Sequence, residues 1–178
     1  MGVYYSKGEH AFEYQQLKKW TKKENCVVIG DSDADGSLLE GGYMETIRFK
    51  SNVCVIVFDN RNSIFGGYYQ VPISEENTYT TDNDAFVFSF ITPRGSSIPL
   101  RHRIFYSKKD RATYYSTTEG NKYFSFGNSD LTIYPNKSGS SYLSTYQRTT
   151  CSSLSGEATF KITRLILAQM FNDEAEII

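Results

Sequence analysis

"FDNRNSIFGGYYQVP", residues 58–72, sets two adjacent glycines between large apolar and aromatic side chains, and its reading decides the fold. A glycine loop that cradles phosphate must lead from a strand into a helix N-terminus, because the free helix amides and the dipole bind the anion. Here Phe65-Gly66-Gly67-Tyr68 runs straight on into "YQVP", and no helical pattern follows. Glycines inside a strand mark a bulge, or a place where another element packs closely against bare backbone. Gly66 and Gly67 are therefore expected to be structural, and "DNRN" (59–62) ahead of them suits a tight reversal between two strands.

Strand patterns extend on both sides of this hairpin. "VCVIVF" (53–58) is apolar on both faces, as a strand covered on both sides must be. "AFVFSFIT" (85–92) places Phe86, Phe88 and Phe90 on one face, and "IPLRHRIFY" (98–106) begins a more polar strand. Shorter strands are expected at "KYFSF" and "DLTIY", and "TFKITRLILAQM" (159–170) closes the sheet through Phe160, Ile162, Leu165 and Leu167. The Ser, Thr and Gly-rich segment 135–158 reads as a long connection without periodicity. Towards the N-terminus, "HAFEYQQLKKWTKKEN" (10–25) has good helix formers with Ala11, Tyr14, Leu17 and Trp20 at three-residue spacing, which predicts a helix. "CVVIG" (26–30) reads as a short buried strand entering "DSDADGSLLE" (31–40). There Ser37 and Glu40 suggest a capping box for a second helix, weakened by Gly41 and Gly42.

Composition agrees with a β-rich single domain. The 178 residues are 39% hydrophobic and include 14 Tyr and 12 Phe, side chains that suit pleated, half-buried surfaces. With 19 Lys+Arg against 20 Asp+Glu, no global field points to nucleic acid. No secretory leader and no bilayer-spanning apolar run is evident, and Cys26, Cys54 and Cys151 are odd in number, so a reducing, cytoplasmic setting is expected.

Few residues offer chemistry. A nucleophile needs an imidazole within hydrogen-bond reach, and His10 and His102 are the only two; His102, between Arg101 and Arg103, is expected to face solvent. No catalytic residue and no cofactor is assigned. Asp31, Asp33 and Asp35 in "DSDADG" match ligand positions 1, 3 and 5 of a calcium loop, and Gly36 matches its glycine, but position 12 is Gly42 where a bidentate Glu belongs. They remain weak metal candidates. No pair of Cys and His stands at zinc-ligand spacing. The start, Met1-Gly2-Val-Tyr-Tyr-Ser6, fits the myristoylation pattern at Gly2, and Lys18, Lys19, Lys22 and Lys23 would add a basic patch for anionic lipid. An initiator Met-Gly before an ordinary solvated helix face is the other reading. Membrane contact is expected only if Gly2 is acylated.

The ordered set "VVIGDSDADG", "IVFDNRNSIFGGYYQVP", "DNDAFVFSF", "FSFGNSDLTIY" and "FKITRLILAQM" resembles the TLDc domain of the oxidation-resistance protein family, in the lean, domain-only form seen in some protists. The resemblance runs from about Leu17 to Met170 within a single domain spanning the chain, and its signature residues are Phe65, Gly66, Gly67, Tyr68, Phe86 and Phe88. It implies an α+β, mainly β fold: a two-sheet antiparallel β-sandwich flanked by a few helices. Many relatives carry a Glu just before the second signature strand, where this chain has Asp84, the candidate functional acid. The resemblance also implies a non-catalytic interaction domain, associated with protection against oxidative stress and with regulation of the vacuolar proton-pumping ATPase. A protein partner, specifically the peripheral sector of that pump, is thus expected, with the chain in the cytoplasm at the surface of endolysosomal membranes. The alternative is an enzyme, or a divalent-metal-dependent ligand binder, using Asp31, Asp33, Asp35 and Asp84.

Overall fold

The structure, a computed structural model, describes residues 3–4, 8–92, 95, 97–147 and 154–177. Gly2 and Cys151 lie outside the described residues. The strands are β1 (Val3–Tyr4), β2 (Asn25–Asp31), β3 (Val53–Asp59), β4 (Ile64–Tyr69), β5 (Tyr79–Thr80) and β6 (Phe86–Ile91). They continue as β7 (Leu100–Arg103), β8 (Thr113–Ser116), β9 (Tyr123–Phe126), β10 (Leu131–Ile133), β11 (Ser138–Ser140) and β12 (Thr159–Phe171). Two α-helices, α1 (Ala11–Thr21) and α2 (Gly42–Ile47), accompany them.

All pairings are antiparallel, and they form two sheets that share one strand. The first sheet runs β1-β2-β12-β3-β4-β6-β7, and the second runs β5-β8-β9-β10-β11-β12. Strand β12 serves both because its first residues, Thr159 to Lys161, pair with β11, whereas its remainder pairs with β3 and β2. The register shift between Ile162 and Arg164 lies at the changeover, where a bulge bends a strand.

Strict alternation along the first sheet fills two separate cores. From β3, Val53, Val55 and Val57 face the second sheet, as do Phe65 and Tyr69 from β4 and Leu165 and Leu167 from β12. There Phe65 meets Phe160 edge to face at 4.8 Å between ring centroids, and Tyr69 meets Phe124 at 6.2 Å. The opposite face carries Cys54, Ile56, Tyr68, Phe86, Phe88 and Met170, and α1 covers it with Tyr14, Leu17 and Trp20. Trp20 stacks on Phe90 at 5.6 Å. The three-residue apolar spacing of α1 and the two-residue spacing of β6 are thus two sides of one contact.

The glycine pair lies where these cores approach the backbone of β4. Gly66 sits between Ile56 and Phe88 in the ladder, and a Cβ there would overlap the Val55 carbonyl oxygen and lie 2.9 Å from Phe88 Cζ. On the other face, a Cβ at Gly67 would lie 2.6 Å from the Phe126 ring. Both positions are filled by neighbouring protein and neither opens on a ligand cradle. Ahead of them the "DNRN" reversal is held by Asp59, whose Oδ1 accepts from the amides of Arg61 and Ser63 at 2.9 and 2.8 Å.

Several expectations are corrected. The cap near residue 37 is Asp35, which accepts from the Ser37 amide at 3.0 Å and opens a short 3-10 helix, Gly36–Glu40; Ser37 is not the cap, and α2 starts only at Gly42. A short acceptor two residues earlier wins because Asp35 has the extended backbone an N-cap needs. Helix α1 ends at Thr21, so of the four lysines expected to form a basic patch only Lys18 and Lys19 are on the helix, Lys22 caps its end, and Lys23 pairs with Glu176 at 2.8 Å. The strand expected over 98–106 is only Leu100–Arg103, followed by a 3-10 helix at Tyr106–Arg111 and by β8, which had no counterpart in the sequence reading. Strand "CVVIG" is buried only at Cys26 and Val27, being near the sheet edge beside β1. Segment 135–158 contains β11 and sends Leu143, Tyr146 and Leu154 into the core.

Candidate binding cleft

The acidic loop after β2 is neutralised by protein. Arg164 on β12 donates from Nε and Nη2 to the Asp31 carboxylate at 3.1 and 2.8 Å, and its Nε lies 3.1 Å from Asp33 Oδ2. Glu9 reaches the same guanidinium at 3.3 Å. The hydrogen bonds from Arg164 hold the Asp31 carboxyl below the ordinary aspartate range. Asp35 is turned to the 3-10 helix, so the three aspartates do not share a focus. Millimolar calcium should therefore leave the melting temperature of the chain unchanged, since a cation bound only by the native state must raise it. An upward shift abolished by Asp33→Ala would contradict this arrangement.

Asp84 lies at the other end of α1, roughly 16 Å of helix away at 1.5 Å per residue. The loop that presents it is set by Asp82, a buried carboxylate that accepts from the amides of Gln70, Val71 and Asp84 at 2.6, 3.0 and 2.9 Å. Burial raises the Asp82 carboxyl above its ordinary value against the pull of those amides. Sequence reading missed Asp82, although an Asp two residues before another amide in "TDND" is the pattern of a side chain folding back on its own backbone.

Asp84 borders a cleft of about 420 Å³ at the C-terminal end of α1, which the chain lines with Trp20, Lys22, Phe86, Arg101, Arg103 and Lys109 among others. Three elements supply the cations. Lys22 caps α1 with φ 58°, its backbone N–H donating to the Lys18 carbonyl. Arg101 and Arg103, two apart on β7, share a face, and Arg101 Nη1 donates to the Trp20 carbonyl at 3.1 Å, tying the helix end to the sheet. Lys109 rests over the ring of Tyr106 at 4.1 Å. Tyr106 itself is 79% exposed.

Among the described residues, the groups suited to nucleophilic chemistry are elsewhere. His102 alternates with the two arginines, so it points inward and is only 5% exposed, which corrects the expectation that it faces solvent. Burial lowers its pKa and keeps the imidazole neutral. Cys26 and Cys54 are free thiols under α1, and burial pushes Cys26 up to about 12 and Cys54 well above its ordinary value. Both are protonated at neutral pH and shielded by α1, a poor setting for reactive thiolates. Asp31, Asp33 and Asp35 are not brought to the cleft; of the candidate acids only Asp84 is.

A comparison with protein families matches residues 3–165 to the TLDc domain, beginning ahead of Leu17 at the short strand β1. Among curated proteins no match is found.

Proposed function

The chain belongs to the TLDc domain family, and from that premise we propose that it works by binding a protein partner and not by turning over a substrate. The observation that carries this reading is a separation: cations and aromatics gather at an open cleft, while His102, Cys26 and Cys54 are buried away from it. Exposed charged and aromatic side chains on a sheet framework suit recognition, because a rigid scaffold limits the entropy lost on association. A role in oxidative-stress protection would then run through the partner and not through the thiols of Cys26 or Cys54.

The partner proposed is the peripheral sector of the vacuolar proton-pumping ATPase, met on the cytoplasmic surface of endolysosomal membranes. Among the described residues no helix is long and apolar enough to cross a membrane. Acylation at Gly2 would add a weak lipid anchor. The enzyme alternative loses its shared acidic site, since Arg164 engages Asp31 and Asp33 while Asp84 stands apart. Tagged chain used as bait in a native lysate should recover peripheral-sector subunits of the pump. Recovery of unrelated proteins alone, with no pump subunit, would contradict the proposed partner.

A further inference from the structure

We propose that the cleft beside α1 is a docking site for an acidic segment of a protein partner, whose carboxylates are received by Lys22, Arg103 and Lys109. The inference rests on the reading of the chain as a binding module and adds which surface binds and what chemistry it takes.

The charge of the cleft departs from that of the whole chain. Net charge is −1 overall, yet four cations and one carboxylate, Asp84, line this space. Arg101 is committed to the Trp20 carbonyl. Among the described residues, Lys22, Arg103 and Lys109 have no carboxylate within salt-bridge reach. Burial, and then the like charge of Arg103, lower Arg101 from its usual value, a crowding that an anionic guest relieves.

The backbone at Lys22 gives a second reason. A helix that ends on a left-handed residue is best served by glycine, and here the position is a lysine at φ 58°. Its side chain borders both this cleft and a shallow groove along α1 lined by Lys18, Lys19 and Phe12, which is 59% exposed. The basic surface is therefore continuous around the helix end. Shape then selects the guest: the cations stand on the walls of a concavity beside Trp20 and Phe86, which a peptide side chain enters and a flat bilayer does not.

Trp20 is the chain's single tryptophan and lines the cleft, so its fluorescence reports occupancy. Titration with a glutamate-rich synthetic peptide should give a saturable change that weakens as salt is raised, and a lysine-rich peptide should give none. Arg103→Glu with Lys109→Glu should weaken binding by at least about ten-fold at unchanged melting temperature. Lys161→Glu, on the second sheet, should leave it as it was. Lys22→Gly should lower affinity while raising the melting temperature by about 2 to 4 °C, which separates binding from folding. Asp84→Asn, which removes the one carboxylate, should bind the acidic peptide more tightly. Undiminished binding in the Arg103/Lys109 pair would overturn the proposal. So would a preference for the lysine-rich peptide with loss in Asp84→Asn, or binding seen only with phosphatidylserine vesicles. Pump association that survives Arg103→Glu with Lys109→Glu would leave the proposed function standing without this site; peptide binding without pump association would do the reverse.

Discussion

Gly67→Val is expected to destabilise the chain by about 3 kcal/mol, the upper end of the cost of overpacking, and to lower its melting temperature by roughly 6 to 12 °C. The first atom of the new side chain would stand 2.6 Å from the Phe126 ring, which is itself fully buried between the sheets. Phe126 packs on Phe124 at 5.1 Å between centroids and on Tyr69 at 6.3 Å, so it has little room to retreat. A double-mutant cycle makes the cause specific. Phe126→Leu should recover part of the loss caused by Gly67→Val, because the smaller side chain vacates the space the new methyls enter. Unchanged melting with loss of partner binding would instead make the glycine a recognition element.

Asp130→Ala should cost about 3 to 5 kcal/mol, since it removes the acceptor for several buried amides at once and leaves their desolvation uncompensated. Asp130 is fully buried, and its Oδ2 accepts from the amides of Ser144, Thr145 and Tyr146 at 2.7, 2.9 and 2.9 Å. Those bonds fix the chain so that Tyr146 enters the core and its hydroxyl donates to the Ala112 carbonyl at 2.6 Å. Asp130→Asn keeps one acceptor oxygen but turns an NH2 towards donor amides, so it should lose an intermediate amount. Chemical denaturation of the three proteins gives the order directly. A loss below about 1 kcal/mol in the alanine variant would show that segment 144–146 is held by its apolar contacts alone.

The hairpin and the strands around it were legible because their reasons are local. The unbroken apolar run "VCVIVF" is what a strand covered on both faces requires, the alternation in "AFVFSFIT" follows from the two-residue period of a strand, and Phe65-Gly66-Gly67-Tyr68 has no helix behind it to make a phosphate loop. What sequence could not carry is long-range partnership. Nothing near Asp31 announces that Arg164 will meet it, because the two are joined only through the pairing of β2 with β12. Part of segment 135–158 looked structureless for the same reason: residues 144–146 are held by Asp130, which stands 14 to 16 residues earlier in the chain. His102 was misplaced because two flanking arginines suggested solvent, whereas alternation on β7 sends the middle residue inward. The cleft itself joins the end of α1 to an edge strand and the 3-10 helix that follows it, which lie far along the chain from that helix. Asp84 was visible as a candidate, but the cations around it were not.

Action through binding is tested most directly by mixing the purified chain with the isolated peripheral sector of the vacuolar ATPase from the same organism and measuring co-sedimentation. A saturable complex is expected, and its formation should not depend on the thiols of Cys26 and Cys54, which are buried and protonated. Absence of any complex at concentrations where the chain is folded, together with saturable turnover of a small substrate abolished by Asp84→Asn, would contradict it.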